Sequence, residues 1–264
     1  MLDAKLFDRA IDNVFLRVHA GNLQRSRRSA PTGQLKKKSR KDQSMTTIFA
    51  MAFDQGILLA GDRKTSGYGY SILSNQTMKI HAVTSHSAIC FSGSVGDGQL
   101  AIRELKSECE GFRSEFEHNL STNGQANWLV DFFRYYWDFR GPYALELEII
   151  LAGVDPDGVF RMNRMGDDGY NAEYSDYCTS GSGGERATDV LDMKWRPNMT
   201  LQEAMKLAME AQYHAGFRDS GSSPIQVSVP KMAIITKGGF SFLNDKTLER
   251  LSDRLIRQKR GQHV

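Results

Sequence analysis

Thr46 and Thr47 stand at a sharp compositional boundary in a chain of 264 residues. Upstream lies a polar, basic stretch that ends in Met45; downstream begins the apolar run Ile48–Ala60. If the upstream stretch is lost, Thr46 carries a free α-amine beside its own hydroxyl. That pairing activates a weak nucleophile, with the amine serving as its base. Other residues of chemical interest are scattered behind it: Asp62, Lys79, Gly93, Ser182, Asp219 and Ser222. Taken singly they have ordinary readings. Asp62-Arg63 reads as a turn pair, Lys79 as a solvated strand end and Gly93 as a helix-entry glycine. Ser182 and Ser222 read as loop serines, and Asp219 as a helix-end acid. Cys90, Cys109 and Cys178 are odd in number and widely spaced, with neither a metal-ligand pattern nor a disulfide framework, which points to a reducing, cytoplasmic compartment.

The charge balance divides at the same boundary. Residues 1–45 hold 11 Lys+Arg against 4 Asp+Glu, leaving 23 against 27 for residues 46–264. The formal net charge of +3 therefore comes from the leader, and the remainder is acidic. A nucleic-acid-binding core is not supported, because that function needs a basic face on the folded part; a role in nucleic-acid association would rest on the leader alone. No apolar run reaches the roughly 20 residues of a membrane helix.

The elements that must position these residues follow from periodicity and turn chemistry. Apolar residues at helical spacing predict a short amphipathic helix over 2–17, and the Lys/Arg/Ser/Gln-rich residues 21–45 predict disorder. This leader reads either as a removable propeptide or as an upstream extension with Met45 as the start; in both cases Thr46 becomes the first residue. Thr46–Arg63 reads as two strands joined at Asp54-Gln55-Gly56. A glycine-containing loop follows at Lys64–Tyr70, then a strand region from Met78–Ile80 and a strand at Ser87–Phe91. The small-residue turn Ser92–Gly98 opens a long helix buried through Leu100, Ile102, Leu105, Cys109, Phe112 and Phe116. A second helix is expected near Gln125–Phe139, with Trp128, Phe132, Phe133, Tyr136 and Trp137 read as core rather than as a cofactor box. Strands are expected at Leu145–Val154, Val159–Met162 and around Tyr174–Cys178, and a helix from about Glu185. A helix at Leu201–Arg218 precedes strands at Ile225–Val229, Met232–Thr236 and Phe240–Leu243, and a charged helix at Asp245–Lys259 closes the chain. This order predicts an α+β domain with two sheets between helix layers.

Four segments, in this order, resemble the β-type subunits of the 20S proteasome, within the N-terminal-nucleophile hydrolases. They are Thr46–Arg63 (TTIFAMAFDQGILLAGDR), Gly93–Gln99 (GSVGDGQ), Leu151–Gly158 with Gly181–Ala187 (LAGVDPDG, GSGGERA), and Arg218–Ser222 with Ile234–Leu243 (RDSGS, IITKGGFSFL). The resemblance spans essentially all of residues 46–264. It implies a four-layer αββα sandwich of two antiparallel sheets and a threonine-type endopeptidase that needs no metal or organic cofactor.

The resemblance makes Thr46 the nucleophile, with its α-amine as base; the reference pKa of about 7.7–8.0 suits that work near neutrality. Lys79 would sit beside the hydroxyl and lower the amine's pKa by charge repulsion, and Asp62 would hold Lys79 charged and oriented. Gly93 would donate its backbone N–H to the oxyanion. Ser182, Asp219 and Ser222 would surround the amine and steer its proton. By the same register Thr65, Phe91 and Val95 would line an apolar pocket for the side chain before the cut, with Phe91 limiting its depth. Three departures stand out. Met45 precedes Thr46 where self-processing members have Gly, which favours removal of Met45 by an aminopeptidase. Lys79 and Gly93 each fall one residue late, accounted for by one insertion in Gly67–Tyr70 or, alternatively, by Thr47 being the nucleophile. Ser223 stands where Gly usually follows.

Family members assemble as seven-membered rings stacked into a barrel, so the resemblance implies a homo-oligomeric ring with α-type subunits and an ATP-driven unfoldase as partners. A rival is the simpler bacterial relative built from one subunit type and paired with a different ATPase. Met45-Thr46 and Gly181–Gly184 lean that way, whereas length and Arg218–Ser222 lean toward the 20S type. A non-catalytic ring subunit is the third reading, should the leader stay attached.

Overall fold

The computed structural model describes residues 46–66, 72–140 and 145–261. The helix expected over 2–17, the polar leader 21–45 and the whole Gly67–Tyr70 loop lie outside them. Among the described residues the chain forms twelve strands and five helices, in a mixed α/β arrangement with three antiparallel sheets.

The first sheet grows from the hairpin. β1 (Ile48–Phe53) and β2 (Gly56–Gly61) pair around the Asp54-Gln55 turn in the register Ile48↔Gly61 through Phe53↔Gly56. Both strands are buried along almost their whole length, as expected of strands covered on two faces. β10 (Tyr177–Ser180) flanks β1, and β11 (Lys231–Thr236) with β12 (Gly239–Phe242) extends the other side, giving the order β10-β1-β2-β11-β12. The second sheet runs β5 (Ile80–Ala82), β6 (Ser87–Gly93), β7 (Leu147–Val154), β8 (Phe160–Gly166) and β9 (Asn171–Tyr174) in sequence order. A small third sheet pairs β3 (Thr65–Ser66) with β4 (Ile72–Ser74).

Side-chain alternation along β1 distributes its residues between two apolar clusters. Phe49, Met51 and Phe53 pack with residues of α3 (Gly184–Lys194), α4 (Leu201–Arg218) and α5 (Asp245–Gly261), including Val190, Leu207 and Leu248. Ile48 and Ala50 face residues of the second sheet, among them Ala88, Cys90, Ile150 and Ala152. A further cluster joins the second sheet to α1 (Val95–Phe116) and α2 (Thr122–Arg140) through Ile89, Phe91, Leu105, Leu129 and Phe133.

Several sequence expectations need correction. The strand expected around Tyr174–Cys178 is two strands: β9 belongs to the second sheet and β10 to the first, with Ser175-Asp176 between them. Ile225–Val229 is a turn, in which the Val227 and Ser228 N–H groups donate to the Pro224 carbonyl. α1 starts at Val95, inside the expected Ser92–Gly98 turn, because the Ser94 hydroxyl caps it by accepting from the Asp97 N–H. β8 continues to Gly166, beyond the expected Met162. Trp137 is exposed rather than core, whereas Phe132 and Phe133 are buried.

Candidate active site

Two-residue closure of the β1–β2 hairpin dictates which residues meet at its open end. Carrying the register one step past Ile48↔Gly61 sets Thr47 opposite Asp62, and the Asp62 N–H donates to the Thr47 carbonyl at 3.0 Å. On the other flank, beyond the β1–β10 pairing that ends at Ile48↔Ser180, the Gly183 N–H donates to the Thr46 carbonyl at 3.1 Å. Lys79 arrives from the second sheet, just before β5; its carbonyl accepts the Phe91 N–H at 3.1 Å. Asp219 and Ser222 lie on the loop that follows α4, where the Gly221 N–H donates to Asp219 Oδ1 and folds the chain back.

The Asp62 carboxylate is the hub. Its Oδ1 accepts from Thr46 Oγ1 at 2.5 Å, the Thr47 N–H at 2.9 Å and Lys79 Nζ at 2.7 Å. Its Oδ2 accepts the Lys64 N–H at 3.0 Å and the Ser223 N–H at 3.1 Å. Asp62 is 2% and Lys79 5% exposed, so the ion pair is essentially withdrawn from water. Burial lowers the Lys79 ammonium below its ordinary pKa; the neighbouring Asp62 charge and hydrogen bond oppose that, and the Lys64 ammonium adds to it. A buried charge pair of this kind persists only when its remaining hydrogen-bonding capacity is satisfied, and on the Asp62 side the four other donors achieve this.

A second network converges on the same two threonines. Ser222 Oγ donates to Asp219 Oδ2 at 2.6 Å, and Ser182 Oγ donates to that same oxygen at 2.7 Å. A hydroxyl has one proton to give. The 2.5 Å contact between Thr47 Oγ1 and Ser222 Oγ is therefore donated by Thr47. Ser182 Oγ is likewise left as the acceptor of the Thr46 N–H at 3.2 Å. Proton donation runs from the Thr46 nitrogen through Ser182, and from Thr47 through Ser222, into one carboxylate.

Glycines admit these contacts. A Cβ at Gly181, whose φ is 88°, would lie 2.3 Å from the Thr46 carbonyl oxygen. Gly93 closes β6 at φ 117°, where a Cβ would lie 2.0 Å from the Glu146 carbonyl oxygen; only a residue without a side chain fits either place.

Of the residues singled out from the sequence, Thr46, Asp62, Lys79, Ser182, Asp219 and Ser222 meet in this linked pair of networks. Gly93, Thr65, Phe91 and Val95 are not members of it. Phe91 is buried, stacked on the His81 ring and against Gly98; Val95 begins α1, and Thr65 Oγ1 donates to Thr77 Oγ1. Sequence reasoning missed three contributors, Lys64 and Ser223 as backbone donors and Gln212, and weighed a fourth, Thr47, only as an alternative nucleophile. The Lys64 and Ser223 N–H groups complete the Asp62 shell, Thr47 supplies a hydroxyl, and buried Gln212 on α4 donates from Nε2 to the Thr47 carbonyl at 3.3 Å. Backbone donors carry no signature in residue type; Gln212, polar on the apolar face of an amphipathic helix, was the one visible signal.

The model of the proteasome subunit family matches residues 43–229, which contain this entire constellation. The chain belongs to the proteasome subunit family. It is 31% identical over 200 residues to a proteasome subunit beta of Methanocorpusculum labreanum, covering 75% of this chain and 89% of that protein. It is 29% identical over 219 residues to proteasome subunit beta 2 of Thermomonospora curvata, covering 81% and 78%. It is 31% identical over 209 residues to a proteasome subunit beta of Methanocaldococcus vulcanius, covering 78% and 88%. The similarity thus places it with β-type proteasome subunits of archaea and bacteria. Among the described residues of this proteasome-family chain, no helix is long and apolar enough to cross a membrane.

Proposed function

We propose that the mature chain is a threonine-type endopeptidase subunit of a proteasome, with Thr46 as nucleophile. The observation that carries this reading is the sharing of one buried oxygen, Asp62 Oδ1, by the Thr46 hydroxyl and the Lys79 ammonium. In the full-length chain the Thr46 nitrogen is an amide and cannot act as a base. Removal of residues 1–45 makes it an amine, in the place where Ser182 Oγ accepts from it. Thr46 Oγ then bonds to the scissile carbonyl carbon while its proton passes to the α-amine. The amine returns that proton to the leaving nitrogen as the C–N bond breaks, and water cleaves the resulting ester. Lys79 disfavours a second positive charge nearby and so keeps the amine basic but unprotonated near neutral pH. Gly93 N–H receives the oxyanion, and Asp219 with its two serines steers the amine proton. The scheme uses only groups of the protein and water.

Thr47 is the weaker candidate nucleophile. Its nitrogen stays in the Thr46–Thr47 peptide bond, and its hydroxyl is spent on Ser222. Thr65, Phe91 and Val95 line the pocket for the residue before the cut, which favours apolar side chains; a peptide panel cut best after basic or acidic residues would reject this. The domain reading of 46–264 as a four-layer αββα sandwich is supported by three apolar clusters, one joining the two sheets and one beneath each helix group. The subunit works in a homo-oligomeric cytoplasmic ring stacked on α-type subunits, fed by an ATP-driven unfoldase.

Intact mass and N-terminal sequencing of the protein from its native host test the reading. A chain beginning at Thr46, with peptide hydrolysis abolished by Thr46→Ala, supports it. A chain beginning at Met1 in the assembled particle makes it a structural ring subunit instead.

A further inference from the structure

A polar bridge crosses between the two sheets next to the site, and neither the residue resemblance nor the scheme above uses it. Ser92 ends the buried part of β6, one residue before Gly93; Ser180 ends β10, one residue before Gly181, which packs on the Thr46 carbonyl. The two hydroxyl oxygens lie 2.8 Å apart although they belong to different sheets. Ser180 donates to Glu148 Oε2, so its oxygen accepts from Ser92. Glu148 sits on β7 directly opposite Ser92 and is itself paired with Arg164 Nη2 at 3.1 Å. The bridge therefore runs in one direction, from Ser92 through Ser180 to the Glu148 carboxylate.

Its place in the inter-sheet layer is unusual. Residues two positions away from the bridge along each strand, Cys90 and Cys178 before the serines and Ile150 after Glu148, belong to the apolar cluster between the sheets. By strand alternation Ser92, Ser180 and Glu148 continue those same three rows. The apolar contact between sheets gives way to directional hydrogen bonds at the end that carries the chemistry. Ser92 and Ser180 are 1% and 2% exposed, so a missing partner is not replaced by solvent. Apolar packing tolerates sliding, whereas two successive hydroxyl bonds, the second ending on a carboxylate, set distances and angles.

We propose that Ser92, Ser180 and Glu148 are positioning residues, which hold the Gly93 N–H at the spacing from Thr46 that the oxyanion requires. One sheet supplies the nucleophile and the other the oxyanion donor, and this bridge ties the two residue by residue. The inference rests on the threonine-peptidase reading, and its test separates the two.

The experiment uses processed, assembled protein, a fluorogenic peptide amide and a peptide aldehyde of the same sequence. The aldehyde forms a tetrahedral adduct with Thr46 Oγ and so also needs the oxyanion donor. Ser180→Ala and Ser92→Ala are each expected to lower kcat about 10- to 100-fold, the scale set by small misplacements of reacting groups. Aldehyde affinity should fall by a similar factor while KM stays within about twofold. Glu148→Gln, at a partly exposed position, keeps an acceptor oxygen but loses the charge; it should show the same kcat-only signature at smaller size, and it stands in if either serine variant fails to assemble. If hydrolysis depends on Thr46 yet these variants keep wild-type kcat and aldehyde affinity, or if KM rises as kcat falls, the bridge is structural only and the inference is overturned. If Thr46→Ala still hydrolyses the peptide, the peptidase reading itself falls and this inference with it.

Discussion

The two ends of β6 both bury polar side chains, and they do so for different purposes. At the Ser87 end the network is neutral and closed. Thr84 Oγ1 lies 2.8 Å from Ser87 Oγ, which donates to Gln125 Oε1 at 2.8 Å, and Gln125 Nε2 donates to the Leu120 carbonyl at 2.9 Å. The charged pair nearby, Arg161 with Asp155, reaches solvent through Arg161. At the Gly93 end an ammonium and a carboxylate are both buried, and a threonine hydroxyl rests on the carboxylate. The first arrangement docks α2 onto a strand end. The second retains charge where charge is costly to retain, as the proposed chemistry requires. Buried polarity alone does not distinguish a site; a buried ion pair with a nucleophilic hydroxyl on it does.

Breaking each end separately sharpens the contrast. The largest effect belongs to Lys79→Ala, which strands the Asp62 charge. Peptide hydrolysis should fall by about 10³-fold or more, and stability by about 3–5 kcal/mol, read by steady-state kinetics and denaturant titration. Asp219→Asn comes next. Its amide can accept fewer of the three donated protons that Asp219 receives from Ser182, Ser222 and the Gly221 N–H. Hydrolysis should drop by about 10- to 100-fold with little change in stability; unchanged kinetics would remove this carboxylate from the scheme.

At the opposite end, Gln125→Leu removes both of its hydrogen bonds. It should cost about 1–3 kcal/mol and leave kcat per assembled site unaltered. A kcat loss there would erase the distinction between the two ends.

Smaller effects are expected at the surface. Burial raises the Glu210 pKa, but hydrogen bonds and charge from Lys194 and Lys259 outweigh it, and the net shift is downward. A lowered carboxylate stabilises the fold above its unfolded value of about 4.5, and that contribution is lost as pH falls through the folded pKa. Glu210→Gln should therefore destabilise at neutral pH, and its deficit should shrink below about pH 4.5, as followed by thermal melts across pH. The least disruptive test is chemical. Cys90, Cys109 and Cys178 are buried and free; burial raises all three thiols, Cys109 and Cys178 to about 12. None should alkylate at pH 8 until the protein unfolds.

Legibility from the sequence followed the range of the interaction. α4 is found at its expected bounds, Leu201–Arg218, because an amphipathic run ends at a turn and a Thr200–Glu203 capping box opens it. The β1–β2 hairpin was legible because a short Gly-containing turn joins two apolar runs, although the turn is Asp54-Gln55 alone: Gly56, expected within it, already belongs to β2 and pairs with Phe53. The split of β9 from β10 was not. The residues between Asn171 and Ser180 are locally continuous, and only the presence of two sheets obliges the chain to leave one for the other. Ile225–Val229 has strand-like composition, yet Pro224 holds it in a turn.

The same division holds for the site. Sequence by itself determined that a hairpin brings Asp62 back beside the two threonines; the two-residue closure that sets it opposite Thr47 was decided by the structure. That only Gly fits where β6 ends was decided by the positive φ of Gly93 and the closeness of the Glu146 carbonyl. Only the tertiary structure decided that Lys79 crosses from the second sheet to share Asp62 Oδ1, and that Asp219 draws Ser182 and Ser222 onto one oxygen. It alone placed Ser92 against Ser180. The physical reason is that hydrogen-bond register propagates along a strand pair from local turn geometry. Contacts between sheets, and between a sheet and the end of a helix, depend on how whole apolar faces close on one another, which no single stretch of residues encodes.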